Sequence, residues 1–148
     1  MSLQERLNQD IKAAMLARNA DKLGALRMLK SAIGYIQIEK KVDSLPDADF
    51  IIAVQKEVKK RRDSIEQYEK GGRPELAAKE QEEITVLEAF LPQPLTPEEL
   101  ENLVREAIAE TGATSKKEMG AVIKAAQAKA AGRAEGKTIS QVVGRLLP

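Results

Sequence analysis

An all-α fold, with an N-terminal four-helix bundle-like lobe followed by a small three-helix lobe, is predicted by three features of this 148-residue sequence. Apolar residues recur at three- and four-residue intervals through seven segments, no segment alternates with the period of two that marks a strand, and Pro92-Gln93-Pro94 interrupts the helical periodicity once. Each segment also carries start or stop residues of its own.

Ser2 followed by Glu5 forms a capping-box pattern, and Leu3, Leu7, Ile11 and Met15 then place an apolar stripe on a first helix ending near Asn19. Asp21 is the predicted cap of a second helix, with Leu26, Leu29, Ile33 and Ile36 on one face before charge and Pro46 interrupt it. Gly24 and Gly34 weaken that helix locally or permit close packing. After Pro46, the spacing of Ile51, Val54, Val58, Ile65 and Tyr68 predicts a helix of about six turns, left at Gly71-Gly72. Pro74 fits the first turn of a fourth helix whose Ala77, Ile84, Leu87 and Leu91 face inward and which Pro92 closes. Short loops between these four helices predict an antiparallel lobe over residues 1–91.

Residues 92–96 form a proline-rich linker, because two prolines in three residues favour an extended, stiff connection. A second lobe over residues 97–148 opens on a complete helix-start signal: Thr96 as cap, Pro97 at the first helical position, Glu99 at the third, and Leu95 stapling onto Leu100. Leu100, Leu103, Val104, Ala107 and Ile108 line this fifth helix to Thr111-Gly112. Ser115 with Glu118 repeats the capping box for a sixth helix with Met119, Val122, Ile123 and Ala126 inside. A glycine-flanked turn, Gly132-Arg133-Ala134-Glu135-Gly136, precedes a last short helix marked by Ile139, Val142, Val143 and Leu146.

Composition restricts the chemistry. Cysteine and histidine are both absent, which removes disulfides, thiol catalysis, the usual zinc sites, histidine bases and Ser-His triads. The paired carboxylates Glu82-Glu83 and Glu98-Glu99 do not converge on a point, since adjacent helical residues face apart, so no catalytic, cofactor-binding or metal-binding residue is assigned. The apolar runs are only a few residues long, and the expected compartment is the cytoplasm. Tyr35, Phe50, Tyr68 and Phe90 are scattered, so there is no stacking platform for single-stranded RNA, and the two tyrosines are read as core residues with a polar tip.

Near-neutrality overall conceals an asymmetry. Residues 92–110 hold one Lys/Arg and five Asp/Glu, whereas residues 111–148 hold seven and two. The seven, Lys116, Lys117, Lys124, Lys129, Arg133, Lys137 and Arg145, are the candidate RNA- or phosphate-binding residues. Lys116 and Lys117 are expected in the first turn of the sixth helix and Lys137 at the start of the seventh, where the macrodipole disfavours cations and an anion would relieve the cost. The other basic run, Lys56, Lys59, Lys60, Arg61 and Arg62, is expected to be neutralised in place by the i,i+4 pairs Glu57–Arg61 and Lys59–Asp63.

Three stretches carry a resemblance that spans nearly the whole chain: the opening MSLQERLNQDIKAAM, the central KKRRDSIEQYEKGGRPELAAKEQEEITVLEAFLPQPLTPEEL and the closing TSKKEMGAVIKAAQAKAAGRAEGKTISQVVGRLL. Their most specific residues are Asp63-Ser64, Tyr68, Gly72-Arg73, Glu83-Ile84, Leu91-Pro92, Met119-Gly120 and the turn from Gly132 to Gly136. On these the chain resembles the YqeY family and the C-terminal helical and tail region of the GatB subunit of tRNA-dependent amidotransferases. Glu135-Gly136 departs from the commoner Asp-Gly of that turn.

The resemblance implies an accessory tRNA-binding protein whose three-helix lobe is similar to the GatB tail, with tRNA or a tRNA-handling complex as partner. Kinship is to a carbon–nitrogen ligase that uses glutamine as amido donor, whose catalytic parts this chain lacks, so no enzyme activity of its own is expected. The alternative is a protein-interaction adaptor in which the helices present a groove to a partner without touching RNA.

Overall fold

The computed structural model describes residues 1–148 as seven α-helices joined by short connections, with no strand. In chain order these are α1 (Leu3–Leu16), α2 (Ala20–Lys40), α3 (Asp47–Lys70), α4 (Pro74–Glu88), α5 (Pro97–Thr111), α6 (Met119–Ala130) and α7 (Gly136–Leu146), with one 3₁₀ turn at Lys116–Glu118. The chain forms two compact units, Met1–Leu91 and Pro92–Pro148.

In the first unit, Leu7 and Ile11 of α1, Leu26, Leu29 and Ile33 of α2, Phe50, Val54 and Val58 of α3, and Ile84 and Leu87 of α4 form one buried cluster. Phe90, just past α4, closes one end: its ring stands 5.8 Å from that of Phe50. The Arg6 guanidinium lies 4.7 Å above the same ring and donates 2.8 Å to the Ala89 carbonyl, which ties α1 to the end of α4. Gln4 joins α1 to two further segments, donating to Gln37 and accepting from the Leu45 amide.

Met15 and Tyr35, both expected in this core, are exposed outside it, and Ile51 and Tyr68 are only partly buried and stand apart from the cluster. Met15 is 51% exposed, because steps of four residues rotate a stripe by about 40° each and the inward position of the last turn passes to Ala14. Tyr35 is 74% exposed. It lies seven residues from Met28, about 100° around α2 from Ile36, and so belongs to the outer face. The cap of α2 is Asn19, which accepts from the Lys22 amide, while Asp21 sits in the first turn. Gly72 leaves α3 at φ +70°, the left-handed exit expected of the glycine pair.

The second unit has its own cluster: Leu100, Val104 and Ala107 of α5, Val122, Ala126 and Ala130 of α6, and Ile139 and Val143 of α7. Thr96 accepts from the Glu99 amide, and Leu95 packs on the same cluster as Leu100. The Ser115–Glu118 capping box forms, yet it encloses the 3₁₀ turn, and α6 begins only at Met119.

A candidate phosphate-binding face

The seven candidate cations divide by their partners. Lys129 lies 2.6 Å from Glu110 and 3.8 Å from Glu106. Its ammonium pKa is raised, chiefly by the hydrogen bond to Glu110. Arg145 lies 3.4 Å from Glu101, whose other oxygen accepts from Arg105 at 2.6 Å. That bond from Arg105 is the main cause holding the Glu101 carboxyl below its ordinary value. Arg133 donates from Nε to the Gln93 carbonyl at 2.9 Å and lies 3.5 Å from Glu99, while its own carbonyl accepts from the Leu95 amide. These three clamp α6, the late turn and α7 onto α5 and the segment before it.

Lys116, Lys117, Lys124 and Lys137 form no ion pair. All four are exposed. Lys116 and Lys117 lie in the 3₁₀ turn, outside the first α-turn where the sequence places them, so a helix dipole bears on them less than expected. The Lys116 amide donates to the Pro148 carbonyl, pinning this turn to the end of the chain. Glu118, the nearest acid, accepts from the Thr114 and Ser115 amides.

α6 and α7, which pack against each other, carry the remaining two lysines. Val122, Ala126 and Ala130 turn one face of α6 inward, so Gly120, Ala121, Lys124, Gln127 and Ala128 form the opposite, exposed face. A Cβ on Gly136 would approach Gln127 Nε2 to 3.2 Å, and one on Gly144 would approach Met119 Cε to 3.4 Å. Position 136 therefore lies beside 127 and 144 beside 119, so α7 runs antiparallel to α6. Lys137 follows Gly136, at the end of α7 that lies beside Gln127 of α6. Lys137, second in α7, carries the dipole penalty of about 0.3–1 kcal/mol that an anion would relieve.

A buried polar cluster lies between α3 and α4 where the sequence predicts only an i,i+4 pair. Arg61 is only 4% exposed, with Nη1 3.0 Å from Glu57, Nε 3.1 Å from Glu83 and a further bond to the Glu57 carbonyl. Its signal was present, since Val54, Val58, Arg61 and Ile65 continue one inward stripe. The expected pairs Glu57–Arg61 and Lys59–Asp63 both form, Lys60 lies 3.6 Å from Glu57 and Arg62 3.1 Å from Glu88, so every cation of the central basic run except Lys56 is paired within the lobe.

Desolvation, followed by the nearby Glu83 carboxylate, raises the Glu80 pKa above its ordinary value. The folded state thus holds that proton more tightly than the unfolded chain does, and stability falls as pH rises from the ordinary carboxylate value through the raised one. Glu80→Gln is therefore expected to raise the melting temperature at pH 7. The gain should vanish below about pH 4.5, the ordinary value, in melts across that range. An equal gain at both ends would remove the electrostatic explanation.

Comparison with known proteins gives the family of the chain. A family model described as Yqey-like protein matches residues 4–147. The chain belongs to that family. Among curated YqeY-like relatives, an uncharacterized protein of Schizosaccharomyces pombe is 33% identical over 92 residues, covering 62% of this chain and 74% of that protein. Altered inheritance of mitochondria protein 41, mitochondrial, of Vanderwaltozyma polyspora is 30% identical over 102 residues, covering 68% of this chain and 55% of its own length. Its namesake in Eremothecium gossypii is 34% identical over 85 residues, covering 57% and 46%. The chain thus spans about half the length of the mitochondrial relatives. No helix is long and apolar enough to cross a membrane.

Proposed function

We propose that the protein is an accessory RNA-binding factor, related to the glutamine-dependent tRNA amidotransferase, which holds the phosphate backbone of tRNA on the outer side of α6 and α7. The observation that carries this reading is the division of the cations. Lys129, Arg133 and Arg145 are spent on the acids and carbonyls around α5, while Lys116, Lys117, Lys124 and Lys137 stay exposed and unpaired. The resemblance to the GatB tail supports tRNA as the anion, and the lack of aromatic residues after Phe90 supports backbone over base contacts. Lys129, Arg133 and Arg145 add long-range positive potential and shape the face. Cytoplasmic residence belongs to the same reading, supported by a cysteine-free chain that suits a reducing compartment.

Four phosphate contacts predict that tRNA affinity falls about 100-fold between about 50 and 200 mM salt. Reversing Lys117, Lys124 and Lys137 to Glu together should weaken binding at least as much and flatten the salt dependence by about three contacts. Reversing Lys56 and Lys60 should change neither. Titration of labelled tRNA checks both, and undiminished binding by the triple variant would discard the proposal.

A protein-docking role without RNA is the second reading, favoured by the exposed Met28, Tyr35, Ile38 and Ile52 of the first unit. Partners retained through nuclease treatment and high salt would support it over the first.

A further inference from the structure

The large apolar side chains left exposed all belong to the first unit, and those of α2 are ordered. Met28 is 54% exposed and Ile38 76%, with Tyr35 between them. Together with Gly24 and Ser31 they follow a spacing of four, three, four and three residues. That is a 3.5-residue repeat, the seam of a helix that packs on another helix. It runs on the far side of α2 from Leu26, Leu29 and Ile33; at its start Gly24 and Met28 border α4, where Met28 Sδ accepts from Arg61 Nη2 at 3.7 Å, and the stretch from Ser31 to Ile38 stays open.

We infer that the outer face of α2 is the contact through which two copies of this chain pair as an antiparallel, two-fold symmetric dimer. The order of large and small residues selects both the occupant and the direction. In an antiparallel pair centred near Ile33, Met28 of one copy meets Ile38 of the other and Ser31 meets Tyr35, so small faces large. Gly24 leaves room for Val42, just past the opposing helix end. A parallel pair stacks Tyr35 on Tyr35 and Ser31 on Ser31, crowding one layer and emptying the next.

The area suits the occupant. The exposed parts of Met28, Tyr35, Ile38 and Val42 present on the order of 500 Å² of apolar surface, and flanking atoms bring each copy toward the about 800 Å² per partner of a standard interface. Arg27 of one copy comes level with both Glu39 and Lys41 of the other in the antiparallel pair, so opposing charge terms offset and association should depend on salt far less than phosphate binding does.

Sedimentation equilibrium on the full chain should give a dimer with a dissociation constant on the order of micromolar, little changed by salt. Ile38→Lys, at a position that does not contribute to the core, should weaken it at least 100-fold while leaving the circular dichroism and melting temperature of the monomer unchanged. Direction is read by oxidation, since the chain has no cysteine and a Cβ on Gly24 meets nothing within 4 Å. A mixture of Ser31→Cys and Tyr35→Cys chains, whose substituted positions face each other across the antiparallel seam, should form a disulfide-linked dimer. Gly24→Cys stands about 27 Å from its counterpart along the seam and should not. A monomer at every concentration, a dimer untouched by Ile38→Lys, or efficient crosslinking through Gly24→Cys would each overturn the inference.

Discussion

Arg61→Ala is expected to destabilise the first unit by about 3–5 kcal/mol, the size of effect seen when one member of a buried ionic cluster is removed. Glu57 and Glu83 bond to this one guanidinium at 3.0 and 3.1 Å and are themselves mostly buried. Without it, Glu83 loses its only ion-pair partner in a largely desolvated site, Glu57 keeps just the exposed Lys60 at 3.6 Å, and the Glu57 carbonyl loses a donor. Urea denaturation should show a lower midpoint with an unchanged slope. The triple variant Arg61→Met, Glu57→Leu and Glu83→Leu should recover most of the loss, because replacing all the charges removes the desolvation cost together with the attraction. A change below about 0.5 kcal/mol for Arg61→Ala, the level of an ordinary surface substitution, would show that the cluster is solvated in solution.

The second large effect is expected from Ile139→Ala. This side chain is 1% exposed and belongs to a cluster built wholly from residues after Pro94. Loss of a buried isoleucine to alanine costs about 2–5 kcal/mol. A lobe of about 60 residues holds only a few kcal/mol in total, so the substitution should leave it largely unfolded at 37 °C. All four aromatic residues lie before Pro92, which separates the two lobes optically. The near-ultraviolet dichroism and tyrosine emission of the variant should stay native while about a third of the helical signal is lost. Loss of both signals in one transition would show that the two lobes unfold as a single cooperative unit.

Helices were legible because periodicity, caps and prolines agreed locally. Ser2, Thr96 and Pro74 occupy the cap and first-turn positions that their chemistry favours. Where two capping residues competed, as Asn19 and Asp21 do, the choice depended on which oxygen reaches a free amide, a matter of about one residue in register. The 3₁₀ turn at Lys116–Glu118 escaped for a related reason: a capping box looks the same before either kind of helix, and the bond from the Lys116 amide to Pro148 comes from the far end of the chain.

The candidate site was legible only as an inventory. Seven cations after residue 111 could be counted from the sequence, but their partners could not, since Glu99, Glu101, Glu106 and Glu110 lie on a different helix. Arg61 shows the same limit from the other side: it read as one charge in a basic run, and only the packing of α3 against α4 brings Glu83 to it from 22 residues away.

By itself the sequence determined the helical class, the helix starts and stops, the absence of thiol and imidazole chemistry, and the charge carried by each segment. These follow from interactions within a few residues or from composition. Tertiary structure decided which charges are cancelled, that Tyr35 and Met15 face outward, and that α2 keeps part of a second apolar face uncovered. Those outcomes depend on the direction from which neighbouring helices approach, and pairing distances of a few ångströms between remote residues are set by packing alone.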